Sequence, residues 1–162
     1  MRTLLALSLS LWTLAACNGA PPVITPPATP QATPQTSADP AFARAAASAP
    51  TVFEGTVVAV GPAPPVWSGR VMAYQAVTYR VTRIVADPDQ RLSVDAQVTV
   101  QHLLVAGSET ADTEPRLRPA LAHPGATVIV LASWSGDQWT GVDEHHGIVV
   151  ADAAHRAALP AK

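Results

Sequence analysis

Asp143-Glu144-His145-His146 is the densest run of potential metal ligands in the chain. Carboxylates and imidazoles bind zinc or copper, so the segment invites a metal-dependent or hydrolytic reading with His145 and His146 as ligands. The spacing argues against it. Neighbouring residues of a strand point to opposite faces, so only half of the run can face one ion without a tight turn. The order also differs from His-Glu-x-x-His, which sets both histidines on one face of a helix. The segment reads instead as a solvated hairpin turn between two strands, ending at Gly147. His102 falls on the apolar face of a strand, where a hydrogen-bonded core histidine is the default, and nothing in the sequence places it or His123 near the cluster. Glu109, Asp112 and Glu114 lack the central glycine and closing glutamate of a calcium loop and read as an acidic, solvated connection. Gly-x-Ser-x-Gly does not occur, and Ser68 and Ser135 each precede a glycine in a turn dipeptide. No catalytic residue and no cofactor are expected.

Trp67, Trp134 and Trp139 carry a binding reading. Trp67 lies in a proline-rich loop between Gly61 and Gly69, and Trp134 and Trp139 flank the turn Ser135-Gly136-Asp137-Gln138. Exposed indoles there would stack on a sugar ring or on a partner protein's side chain. The sequence favours a plainer role, a Trp134–Trp139 cross-strand pair that clamps its hairpin, with Trp67 folded over the end of the domain.

Cys17 is the single cysteine, and it ends an apolar run that opens with Met1-Arg2 and closes with Leu14-Ala15-Ala16. A basic start, an apolar stretch and a small-residue cleavage site make an export signal, residues 1–16. A membrane span needs about 20 apolar residues, and this run stops short of that. Its Leu-Ala-Ala-Cys ending resembles the lipobox of bacterial prolipoproteins. The resemblance implies cleavage before Cys17, a diacylglycerol on its thiol and, usually, acylation of the new amine. Anchoring by two or more acyl chains is firm, whereas one chain binds a bilayer only marginally. The resemblance therefore places the protein in the bacterial cell envelope, held to the membrane by its N-terminal lipid. Asn18, where an Asp resembles an inner-membrane retention signal, leans towards the outer membrane.

With that thiol acylated, the folded part has no disulfide and stands on hydrophobic burial, which also excludes thiol catalysis and cysteine-ligated metals. Loss of residues 1–16 removes Arg2 from the 10 basic residues, leaving a mature net charge of about −3 against 12 acidic ones. A nucleic-acid binder shows a basic stripe that neutralises phosphates, and none is present.

Residues 17–50 are expected to form the lipidated cysteine and a disordered Pro/Thr-rich tether. Eight prolines fall between Pro21 and Pro50, and Ala28-Thr29-Pro30-Gln31 repeats at once as Ala32-Thr33-Pro34-Gln35. Such a segment has little to bury and stays extended and solvated; at about 3.1 Å per residue it reaches roughly 100 Å. A brief helix is predicted near its end, with Asp39 as cap, Pro40 in the first turn and Ala41–Ala47 following, marginal without tertiary packing.

From Thr51 the texture is β. Val52–Val60 ends at the breaker pair Gly61-Pro62. In Ala73–Ala86, Val77, Tyr79, Val81 and Val85 share one face, interrupted by Arg83. Val94, Ala96, Val98, Val100, His102 and Leu104 make a third period-two face. Thr127–Ala132 is a continuous apolar run, predicted as a strand buried on both sides, and Gln138–Val142 and Gly147–Val150 supply two short final strands. With no strong helical period, residues 51–162 are predicted as an all-β domain, a small five- to six-stranded barrel. The runs Phe53–Val57, Val77–Val85 and Pro124–Ala132 are similar to OB-like domains of the netrin and metalloproteinase-inhibitor type. That resemblance implies the strand order alone. Those inhibitors use a free N-terminal cysteine beside the fold and several disulfides, whereas Cys17 lies far upstream and is expected to be acylated.

Overall fold

A computed structural model describes residues 39–64, 72–105, 110–111, 116–142 and 145–161. The expected export signal, Cys17 and the tether through residue 38 lie outside these, as do Trp67, Glu109, Asp112, Glu114, Asp143 and Glu144. The strands are β1 (Thr51–Val60), β2 (Met72–Ala86), β3 (Gln97–Val105), β4 (Thr127–Ser135), β5 (Gln138–Gly141) and β6 (Ile148–Val150), flanked by helices α1 (Pro40–Ser48) and α2 (Ala153–Ala157).

The strands close into a ring. β1 pairs antiparallel with β2, and β2 with β3. β3 meets β5 in parallel at Val100–Trp139 and Gln101–Thr140, and β5 pairs antiparallel with β4. β4 returns to β1 from Ala132–Thr51 to Thr127–Thr56. The result is a small all-β, OB-like barrel with β6 as a sixth strand on β4, as the sequence predicts. Closure demands strong curvature, and β1–β2 supplies it through three register shifts, at Val52/Phe53, Glu54/Gly55 and Val57/Ala59. Gly55 permits the bend: a Cβ there would meet the Arg80 carbonyl oxygen at 3.0 Å and the Tyr79 Cβ at 3.2 Å.

Those shifts correct one predicted face. Val77, Tyr79 and Val81 do line the interior, but Val85 does not follow them. The ladder skips Thr82, since Glu54 pairs with Arg83 and Gly55 with Val81. The skipped residue reverses the alternation, so Ile84 packs on the interior, Arg83 faces outward and Val85 joins an outer core. The third predicted face is also shortened. Val98, Val100, His102 and Leu104 are buried, whereas Val94 precedes β3 and is exposed.

β4 is buried on both faces, as its apolar run predicts. Val128, Val130 and Ala132 point into the barrel; Ile129 and Leu131 point out, into a second core with Phe42 and Ala46 of α1, Val52, Val85 and Ala151. This moves the expected domain boundary. Residues 40–48 are assigned by sequence to the tether, yet α1 is part of the folded body, with Phe42 0 % exposed. The Asp39 side chain caps it at the Ala41 N–H (2.8 Å). Tertiary burial of one apolar face supplies what so short a helix lacks alone. Among the described residues, no helix is long and apolar enough to cross a membrane.

The connection from β3 to β4 is not simply a solvated acidic loop. Ala111, Leu117 and Leu121 belong to the interior core. The Gln75 amide on β2 holds it in place, accepting from the Leu117 N–H (2.8 Å) and donating to the Gly61 carbonyl (3.0 Å).

Candidate functional site

The turn between β4 and β5 sets the geometry of the tryptophans. Ser135 pairs with Gln138, leaving Gly136 and Asp137 as the two central residues. Gly136 has φ +65° and Asp137 is not among the positive-φ residues, the pattern of a type II′ hairpin with glycine at its first central position. Trp134 and Trp139 are therefore direct cross-strand partners, with ring centroids 5.2 Å apart and planes at 69°. Edge-to-face packing of this kind suits the opposed charges of ring face and ring edge. Trp139 is nearly buried, at 6 % exposure, while Trp134 is half-buried.

The pair forms one wall of a cleft of about 360 Å³. Leu92, Ala96 and Val98 supply apolar lining, and Arg91 and Gln97 supply polar groups. The Arg91 guanidinium carbon lies 5.2 Å from the centre of the Trp134 ring, a cation–π contact, and its Nε approaches Asp89 Oδ2 at 3.4 Å. The parallel β3–β5 pairing is what builds this cleft, because it sets the start of β3 beside the β4–β5 hairpin. Of the predicted ligand-binding residues, Trp134 and Trp139 thus come together. Trp67 lies outside the described residues, and Met72, just after its loop, pairs with Val105 at the far end of β3 from the cleft.

The Asp143–His146 segment is not the predicted hairpin turn. β5 and β6 do not pair with each other; both lie antiparallel along the same edge of β4. The Val142 N–H donates to the Leu131 carbonyl (3.1 Å), and the Leu131 N–H donates to the Gly147 carbonyl (2.9 Å). Val142 and Gly147 thus both meet β4 at Leu131, one on each side of the Asp143–His146 stretch. His146 reaches Asp39 at the α1 cap, Nε2 to Oδ2 3.4 Å, and the rings of His145 and His146 lie 6.2 Å apart. The Asp39 carboxyl is lowered below its ordinary range, chiefly by the Ala41 N–H and further by His146. Among the described residues no group of three or more His, Cys, Asp or Glu side chains is arranged to hold a metal.

Two buried polar features have no counterpart in the site predicted from sequence. Inside the barrel, the Tyr79 hydroxyl and His102 Nε2 share a 2.7 Å hydrogen bond, which is the core histidine that the alternation of β3 predicts. Burial lowers the imidazole from 6.5 to about 4 and raises the phenol well above its ordinary value, so both stay neutral. Gly141 makes room for that ring, since a Cβ there would meet His102 Nδ1 at 3.0 Å. Outside the barrel, Glu54 on β1 pairs with Arg83 of β2 and with Arg156 of α2, the latter at 2.9 Å. This latches α2 to the barrel. A lone glutamate within the apolar run Val52–Val58 is the signal that marks it.

No protein-family model matches the chain, and no curated protein matches it.

Proposed function

We propose that this chain is a lipid-anchored protein of the bacterial cell envelope whose OB-like head is a binding module. On this reading the chain is cut before Cys17, the cysteine carries the acyl chains, and Asn18, standing where an Asp would resemble a retention signal, leaves the product to pass to the outer membrane. The tether then holds the head clear of the lipid surface, where the tryptophan hairpin meets a protein or glycan partner. The cleft walled by Trp134 and Trp139 carries the reading for the head, because it joins a half-exposed indole to an arginine and an amide in one concave surface. Leu14-Ala15-Ala16-Cys17 carries it for the anchor. The role is binding without turnover.

Two measurements test it. The intact mass of the membrane-extracted product should correspond to a chain that starts at Cys17 and bears acyl chains, and Cys17→Ser should leave the chain unprocessed and unacylated. A free thiol on a chain that retains Met1 overturns the anchor. For the head, the indole N–H resonance of Trp134, assigned with Trp134→Phe, should move on titration with short peptides or neutral oligosaccharides. A resonance that responds to neither class overturns the binding role.

A further inference from the structure

We infer that the Trp134–Trp139 cleft takes a single carboxylate on an apolar body, gripped by Arg91 while the body lies against the indoles. This rests on the binding role proposed above and names its ligand class. Among the described residues no acidic side chain lines the cleft: its polar atoms come from Arg91, Gln97 and the indoles. Of the Arg91 guanidinium, Nε faces Asp89 at 3.4 Å, and no other carboxylate among the described residues pairs with it. The fork of its two terminal nitrogens is left for a second carboxylate, which a guanidinium binds through two parallel hydrogen bonds. Contact with the Trp134 ring restrains that fork in advance, lowering the ordering cost on binding.

The charge around the cleft sets the limit of one anion. Asp87, Asp89 and Asp95 share the β2–β3 connection with Arg91. Asp87 is turned inward, its Oδ2 accepting from the Leu92 N–H at 2.7 Å, and Asp89 is held by Arg91. Beside these three aspartates a phosphate or polyanion meets more repulsion than a single carboxylate, whose one charge can sit directly on the Arg91 fork. Size points the same way: about 360 Å³ suits a single aromatic or branched side chain with its carboxylate. A free aromatic or aliphatic acid and the C-terminus of a polypeptide both offer this chemistry.

The test follows the Trp134 and Trp139 indole N–H resonances of the full mature chain during titration. The probes are N-acetylphenylalanine, its neutral amide, a short peptide ending in phenylalanine, the same peptide amidated, and a neutral oligosaccharide. The acid should shift both resonances, the amide should bind at least roughly ten-fold more weakly, and Arg91→Lys should lose about ten-fold for the acid. A peptide that binds more tightly than the amino acid identifies a polypeptide C-terminus; equal binding identifies a small acid. If acid and amide bind alike, or Arg91→Lys binds the acid unchanged, the carboxylate assignment is overturned while the cleft remains a binding site. A response to the oligosaccharide alone does the same. Silence to every probe overturns both the ligand class and the binding role.

Discussion

The Tyr79 hydroxyl lies 2.7 Å from His102 Nε2, among the apolar side chains of the barrel interior. Because burial lowers His102 from 6.5 to about 4, the folded state refuses a proton that the unfolded chain accepts near 6.5. This contribution to stability is present in full above pH 6.5 and is lost as the pH falls from there to about 4. A shift of that size corresponds to roughly 3 kcal/mol. Urea unfolding at pH 7.5 and pH 4.5 should show the loss, and His102→Leu should flatten that part of the profile. Equal stability of the parent chain at both pH values would show that the ring is not held neutral.

Glu54 predicts an asymmetry between the members of its ion-pair network. Its side chain is only 7 % exposed, against 54 % for Arg83 and 46 % for Arg156. Removing both arginines strands a buried carboxylate, at a cost of about 3 kcal/mol. Glu54→Gln keeps the shape, and the exposed arginines return to water, so the loss should be about 1 kcal/mol. Denaturant midpoints of the two variants at pH 7 decide it; equal losses would show that water reaches the carboxylate.

How far the sequence carries is clearest at β2. Its alternation marks Val77, Tyr79 and Val81 as interior, and Arg83 in the same series is the visible warning that the pattern breaks. What breaks it is a skipped residue at Thr82, and a bulge depends on the partner strand, which local alternation does not encode. The apolar run of β4 announces burial on both faces, but not that a helix from the apparent tether provides one cover. Residues 40–48 show good caps and propensity; Phe42, the only phenylalanine before Thr51, is the residue that separates a docked helix from a linker. At the candidate site the indole pair is legible from the hairpin spacing. Arg91 and Gln97 are not, because they reach the tryptophans only through the long-range β3–β5 pairing. The Asp143–His146 segment misleads for a related reason: two strands beside a polar break look like a hairpin, although both pair with β4.

Phe42 and Asp39 should separate docking of α1 from its local stability. Phe42→Ala empties a fully buried ring site in the outer core and should cost about 3 kcal/mol. Asp39→Ala removes the cap at Ala41 and the contact to His146, with an expected loss of about 1 kcal/mol. Hydrogen exchange should then quicken across residues 41–48 in Phe42→Ala while the amides of β2 and β3 keep most of their protection. If the barrel amides lose protection in step with the helix, α1 is not a separable strap but part of one cooperative unit with the barrel.

The two tryptophans should divide between stability and recognition. Trp139 lies at the inner end of the pair and counts among the barrel core, so Trp139→Ala should cost about 3 to 4 kcal/mol. Trp134 is half-buried and gives up chiefly its edge-to-face contact and the Arg91 stack, about 1 kcal/mol in Trp134→Leu, where the leucine keeps part of the packing. Binding should follow the reverse order, because Trp134 offers its ring to the cleft and Trp139 mainly supports it. Trp134→Leu, still folded by its near-ultraviolet dichroism and denaturant midpoint, should lose most affinity for whatever ligand moves the Trp139 resonance. A Trp134→Leu chain that keeps full affinity would confine the indole pair to holding the hairpin, because a ring that touches the ligand cannot be removed without loosening it.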